Sequence, residues 1–88
     1  MRLKKTGIAG TLESSDVMIT VEPKESGISI DLKSPVDVYY RDAMMKAIQE
    51  VVDESGVEAM ELRAVDHGAL DCTIKARVKT AIRRAMEG

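Results

Sequence analysis

Two runs that alternate apolar and polar residues are followed by a long run whose apolar residues return every three or four positions, and this change of period constrains the fold most. Val17, Ile19 and Val21 fall on one side of the first run, with Met18, Thr20 and Glu22 on the other; Ile28, Ile30 and Leu32 repeat the pattern. A period of two is that of a strand with one buried face. Between the runs, Pro23-Lys24-Glu25-Ser26-Gly27 supplies turn chemistry, which predicts that the two strands pair as an antiparallel hairpin. Ile8 to Leu12 fits a short strand ahead of them, leaving Ser14 to Asp16 at the tip that joins the first two strands.

The helical period begins at a well-marked start. Ser34 is placed to cap it, Pro35 fits the first helical position, and Asp37 puts negative charge in the first turn, where the helix dipole favours it. Tyr40, Ala43, Met44, Ala47, Ile48, Val51 and Val52 form its apolar stripe, and Gly56 stands just past its end. Val57 to Val65 reads as a further strand with Met60, Leu62 and Ala64 as its inner face, closed by the turn Asp66-His67-Gly68. The last segment supports two periods. Leu70, Cys72, Ile74, Ala76 and Val78 alternate like a strand, whereas Leu70, Ile74, Val78, Ala81, Ile82 and Ala85 make one helical stripe. The Ala, Lys, Arg and Met that dominate from Ala69 to Met86 favour the helix. The sum is one α+β domain over residues 1–88, a small antiparallel sheet with two helices packed on one face.

Eighty-eight residues bury a modest core but leave too little chain to enclose a deep cleft, so catalysis by this chain alone is not expected. With 13 basic and 15 acidic side chains and no Trp or Phe to stack on bases, nucleic acid binding has no support beyond one basic helix face. The single cysteine, Cys72, has no partner for an internal disulfide and no CxxC spacing for a metal. No apolar segment reaches the length of a membrane span, and the start Met1-Arg2-Leu3-Lys4-Lys5 is not followed by the apolar core of a signal peptide. A soluble, cytoplasmic protein is the expectation.

Chemistry-bearing residues are few. Gly10-Thr11-Leu12-Glu13-Ser14-Ser15-Asp16 is a polar turn that displays hydroxyls, yet Ser14 has only Glu13 and Asp16 nearby as bases, both on turn positions expected to be flexible, and nothing resembles a catalytic triad. The only histidine, His67, sits in a turn without a metal-ligand partner at a recognised spacing, which favours a structural or docking role. Cys72 reads as a small buried residue. Lys75, Lys79 and Arg83 recur at spacings of four as a solvated row; as an alternative they meet acidic surface on a larger subunit or the phosphates of a bound group.

The turn from Gly10 to Asp16, its continuation Val17-Met18-Ile19 and the distant Asp66-His67-Gly68-Ala69-Leu70-Asp71-Cys72 closely resemble the acyl carrier (gamma) subunits of citrate lyase, nearly end to end. The resemblance implies that Ser14 carries a covalent phosphoribosyl-dephospho-CoA arm through a phosphodiester, and that the arm's thiol holds an acetyl or citryl group while citrate is cleaved to oxaloacetate and acetate. It implies as partners an alpha subunit (acyl transferase), a beta subunit (citryl lyase), a prosthetic-group transferase and an acetylating ligase, with no catalytic residue and no metal on this chain. The family usually has Gly where this chain has Ser15. That departure offers Ser15 as a second hydroxyl and predicts that residue 15 has little need of a positive φ. The chain lacks the Asp-Ser-Leu attachment motif of the four-helix fatty-acid carriers. Alternatives are the carrier of a related complex such as malonate decarboxylase, an unmodified protein-interaction domain and, least favoured, a small hydrolase using Ser14, His67 and an acid.

Overall fold

In the computed structural model, which describes residues 1–35 and 38–87, the alternating runs are strands and the later apolar stripes are helices. Strands β1 (Gly7–Gly10), β2 (Val17–Pro23) and β3 (Gly27–Lys33) are followed by helix α1 (Val38–Ser55), strand β4 (Ala59–Asp66) and helix α2 (Asp71–Met86). Among the described residues the strands form one four-stranded sheet in the order β1-β2-β4-β3. Its inner face presents Val17, Ile19 and Val21 from β2 and Met60, Leu62 and Ala64 from β4, and both helices pack on that face. From α1 come Met44, Ile48, Val51 and Val52; from α2 come Ile74, Val78, Ala81, Ile82 and Ala85. Complete burial of a side chain such as Ile19, Ile48 or Leu62 contributes roughly 1.5–3 kcal/mol. The α+β architecture with both helices on one face is therefore as expected.

The pairing differs from the expectation in one respect. β2 and β3 run in opposite directions, but they are not neighbours: β4 lies between them, antiparallel to β2 (Ile19 opposite Ala64, Val21 opposite Leu62) and parallel to β3 (Ile30 opposite Leu62). The expected β2–β3 hairpin does not form, and the sheet is mixed rather than antiparallel throughout. The reason is burial. β4 carries Met60, Leu62 and Ala64 at 2% exposure or less and takes the centre, whereas β3 buries only Leu32 among its residues and takes the edge. The four steps from Pro23 to Gly27 reach up to about 14 Å, more than the roughly 9.6 Å between alternate strands, so the turn can step over β4. Connecting two parallel strands requires a crossover, and α1 provides it between β3 and β4.

Both helical stripes overshoot. Tyr40 and Ala43 on α1, and Leu70 at the N-cap of α2, were expected in the buried stripes but are exposed, Leu70 at 71%. The apolar period runs on into helix ends that the sheet does not cover. Gly56, at φ +73°, follows α1 as expected. At the other end, Pro35 is an exposed bend residue, the Ser34 hydroxyl donates to Asp66 Oδ2 at 2.8 Å, and Asp37 lies outside the described residues. α2 approaches β1 so closely that a Cβ on Gly7 would stand 2.1 Å from the Ala81 carbonyl oxygen.

Candidate functional site

The turn between β1 and β2 is built around one carboxylate. Asp16 is 9% exposed, and its Oδ2 accepts from the Thr11 backbone N–H (3.1 Å) and the Thr11 hydroxyl (2.7 Å), while Oδ1 accepts from the Val17 N–H (2.8 Å). The Arg77 guanidinium then reaches across from α2 and grips both oxygens, Nε to Oδ1 at 3.1 Å and Nη2 to Oδ2 at 3.4 Å. Two hydrogen bonds within the turn complete the frame: Glu13 N–H to Thr11 Oγ1 (3.2 Å) and Asp16 N–H to the Glu13 carbonyl (3.2 Å). A side chain that accepts this many bonds has its charged form strongly favoured. The Thr11 hydroxyl first, then Arg77 and the Val17 N–H, hold the Asp16 carboxyl down to a pKa of about 2.

The loop after β4 supports the turn from the other side. Ser15 N–H donates to the His67 carbonyl at 2.7 Å, and His67 N–H donates back to the Asp16 carbonyl at 2.9 Å. That loop is in turn organised by Asp66, 1% exposed, whose carboxylate accepts from Gly68 N–H (3.1 Å), Ala69 N–H (2.9 Å) and the Ser34 hydroxyl. The hairpin tip is thus fixed to β4 and α2, segments about fifty or more residues away along the chain.

On this frame Ser14 is exposed, and among the described residues its hydroxyl has no hydrogen-bond partner. Ser15 is also exposed but sits at φ +65°, in the left-handed region. This corrects the expectation that residue 15 has little need of a positive φ. The reciprocal bonds with His67 dictate the backbone there, and the serine bears the strain. Ser15→Gly should relieve a left-handed cost of roughly 1–2 kcal/mol, partly offset by roughly 0.4–1 kcal/mol from the more flexible unfolded chain. The expected net gain is about 0.5 kcal/mol in urea unfolding; a loss of stability would mean that the Ser15 side chain stabilises the turn.

Other residues singled out in the sequence are placed as follows. Asp16, considered as a base on a flexible turn, is buried and committed to its partners, so it has little capacity to take a proton from Ser14. Glu13 is exposed. His67 reaches the site through its backbone, with an exposed side chain, in keeping with a structural role. Cys72 is exposed, not buried: it lies in the first turn of α2, in a shallow groove with Tyr40, Met44 and Leu70. Lys75 pairs with Glu50 of α1 at 2.8 Å, each stabilising the charge of the other, while Lys79 and Arg83 border the groove between the helices. Arg77 lies about 200° round the helix from Lys75, so the basic row is turned toward α1 and away from the Ser14 turn. Arg77 was the residue missed. Nothing local distinguishes it from its cationic neighbours, and its partner Asp16 is sixty-one positions away. The arrangement displays a hydroxyl on a pinned tip whose buried carboxylate, Asp16, is committed to other partners, which suits a point of attachment rather than a nucleophile in catalysis.

The chain is similar to known acyl carrier proteins. A family model for acyl carrier proteins, described as malonate decarboxylase delta subunit (MdcD), matches residues 4–85. The citrate lyase acyl carrier protein of Halothermothrix orenii is 48% identical over 88 residues, covering 100% of this chain and 94% of that protein. Those of Streptococcus mutans (48% over 88 residues; 99% of this chain and 86% of that protein) and Treponema denticola (46% over 87 residues; 99% of each) are similar. Among solved structures, a chain of a Pseudomonas malonate decarboxylase hetero-tetramer in complex with malonate shares the fold, with a TM-score of 0.73 at 16% identity over 94% of this chain and 86% of that one.

Proposed function

This chain belongs to the citrate lyase acyl carrier protein family, and from that premise we propose that it carries the acetyl and citryl groups of citrate cleavage on an arm attached to Ser14. It is an acyl carrier, a non-catalytic subunit of a multisubunit complex. Acyl carriers of this kind bear a covalently bound prosthetic group. We assign that group as phosphoribosyl-dephospho-CoA, joined to the Ser14 Oγ by a phosphodiester.

The observation that carries the proposal is the Ser14 hydroxyl, exposed and without a hydrogen-bond partner among the described residues, on a tip pinned to two other elements. An attachment point for a bulky group must be open to the enzyme that loads it, and Ser14 meets that requirement. The arm would supply the terminal thiol on which the acyl thioester forms. What the chain contributes is a fixed anchor. A tether holds the acyl group at an effective concentration of about millimolar at each site it can reach, so one carrier can serve an acyl transferase (alpha) and a citryl lyase (beta) in turn. A prosthetic-group transferase and an acetylating ligase complete the set of partners. The cytoplasm is the compartment assigned; no helix among the described residues is long and apolar enough to cross a membrane.

A second reading, a carrier of malonate decarboxylase, is favoured by the description of the matching family and by the shared fold. One reconstitution separates the two. The acetylated holo chain is mixed with alpha and beta subunits, each omitted in turn, and oxaloacetate released from citrate is measured. Oxaloacetate is expected only with both partners present. Its release by the carrier alone, surviving repurification, would show that this chain is an enzyme, and malonate decarboxylation with the corresponding partners in place of citrate cleavage would establish the second reading.

A further inference from the structure

Arg77 ties the α2 helix to the hairpin tip through the buried side chain of the tip. It grips both oxygens of Asp16, and Asp16 in turn holds Thr11 at the start of the turn and Val17 at its end. Removing the guanidinium leaves a largely buried carboxylate with two of its donors gone, and water must then enter to solvate it. The His67 N–H bond to the Asp16 carbonyl, and with it the neighbouring Ser15 N–H bond to the His67 carbonyl, lose their fixed reference. Ser14 and Ser15 are adjacent exposed hydroxyls, so which one an incoming enzyme meets depends on the turn keeping a single conformation.

We propose that Arg77 is a positioning residue for arm attachment: by clamping Asp16 it fixes the turn from Thr11 to Asp16 so that Ser14, and not Ser15, is presented to the prosthetic-group transferase. This rests on the assignment of Ser14 as the attachment site. Attachment forms one bond from the serine Oγ to phosphorus of an activated polyphosphate ester donor. It breaks the bond from that phosphorus to the polyphosphate leaving group and passes the hydroxyl proton to a base on the transferase. Arg77 takes no part in those bonds. Its contribution is preorganisation, which spares the transferase the cost of ordering the turn.

The test compares wild type, Arg77→Ala, Arg77→Lys and Arg84→Ala, each as the full chain incubated with the transferase and the activated phosphoribosyl-dephospho-CoA donor. Arg84 is the control because its Nη1 also reaches out from α2, to the Ile8 carbonyl of β1 (2.7 Å), and its bond is outside the turn. Time courses of intact mass give kcat/KM, peptide mapping gives the serine used, and hydrogen exchange reports the Ser15 and Asp16 amides. Arg77→Ala is expected to lose at least about tenfold in kcat/KM, to divert part of the adduct to Ser15 and to exchange faster at those amides, with Arg77→Lys intermediate and Arg84→Ala like wild type. Arg77→Ala modified at the wild-type rate and only on Ser14 would overturn the clamp, as would the same loss of selectivity in Arg84→Ala. Should Arg77→Ala fail to fold, Arg77→Lys decides alone, by whether its adduct divides between the two serines. An adduct on another residue in wild type would instead overturn the Ser14 assignment.

Discussion

Ser14→Ala is expected to fold as wild type does and to accept no arm at all. The side chain is exposed and makes no hydrogen bond among the described residues, so deleting its hydroxyl should change stability by no more than about 0.5 kcal/mol, as for surface positions generally. The frame that holds the turn consists of Thr11, Asp16, Arg77 and the His67 backbone, and each remains. Attachment, by contrast, needs the Oγ itself, and no rearrangement supplies another atom at that place. Ser15→Ala should therefore still be loaded. Intact mass after incubation with transferase and donor separates the outcomes, with thermal unfolding as the control. A full-sized adduct on Ser14→Ala, or none on Ser15→Ala, would move the site to the second serine.

Much of the fold was legible because burial writes a simple period into the chain. Val17, Ile19 and Val21, and Met60, Leu62 and Ala64, alternate as residues of half-buried strands must, and all six are at the sheet's inner face. The same logic could not tell which strands are neighbours. Both edges of β4 are paired, and that fact belongs to the relation between residues 17–33 and residues 59–66, not to either segment. Where period alone was used it ran too far, as Tyr40 and Leu70 show: a helix keeps its stripe past the point where the sheet ends.

The candidate site divides along the same line. Ser14 was singled out through the resemblance, which a local motif of seven consecutive residues carries, whereas turn chemistry alone reads it only as a displayed hydroxyl. What makes the turn rigid was not. Asp16 looked like a flexible acid because its partner lies on a helix at the far end of the chain, and Ser15 looked free of strain because a serine stands where the family has glycine. In the fold the left-handed φ of Ser15 goes with two backbone bonds to the residue after β4. Sequence reasoning that reads conformational need from residue type fails where a distant segment sets the conformation.

Gly10→Ala tests how rigidly that turn is anchored, and it should cost about 3 kcal/mol or more. Gly10 ends β1 opposite Met18 at φ +94°, a backbone state that an alanine adopts only with strain of roughly 1–3 kcal/mol. Space is the second obstacle. A Cβ there would stand 1.8 Å from the Val17 carbonyl oxygen and 2.9 Å from its carbon, and these are backbone atoms of β2 that cannot rotate aside as a side chain would. Relieving such a clash in a packed region adds roughly 1–3 kcal/mol. The displacement would fall on Val17, whose N–H is held by Asp16, so arm attachment should slow along with the loss of stability. Gly27→Ala is the matched control. It too has a positive φ, +79°, but among the described residues beyond its chain neighbours nothing lies within 4 Å of its would-be Cβ, so only the strain of roughly 1 kcal/mol should remain. Urea unfolding of the two variants beside wild type gives the comparison. If Gly10→Ala unfolds within about 1 kcal/mol of wild type, the β1–β2 turn yields readily, and a rigid anchor for Ser14 is the wrong description of it.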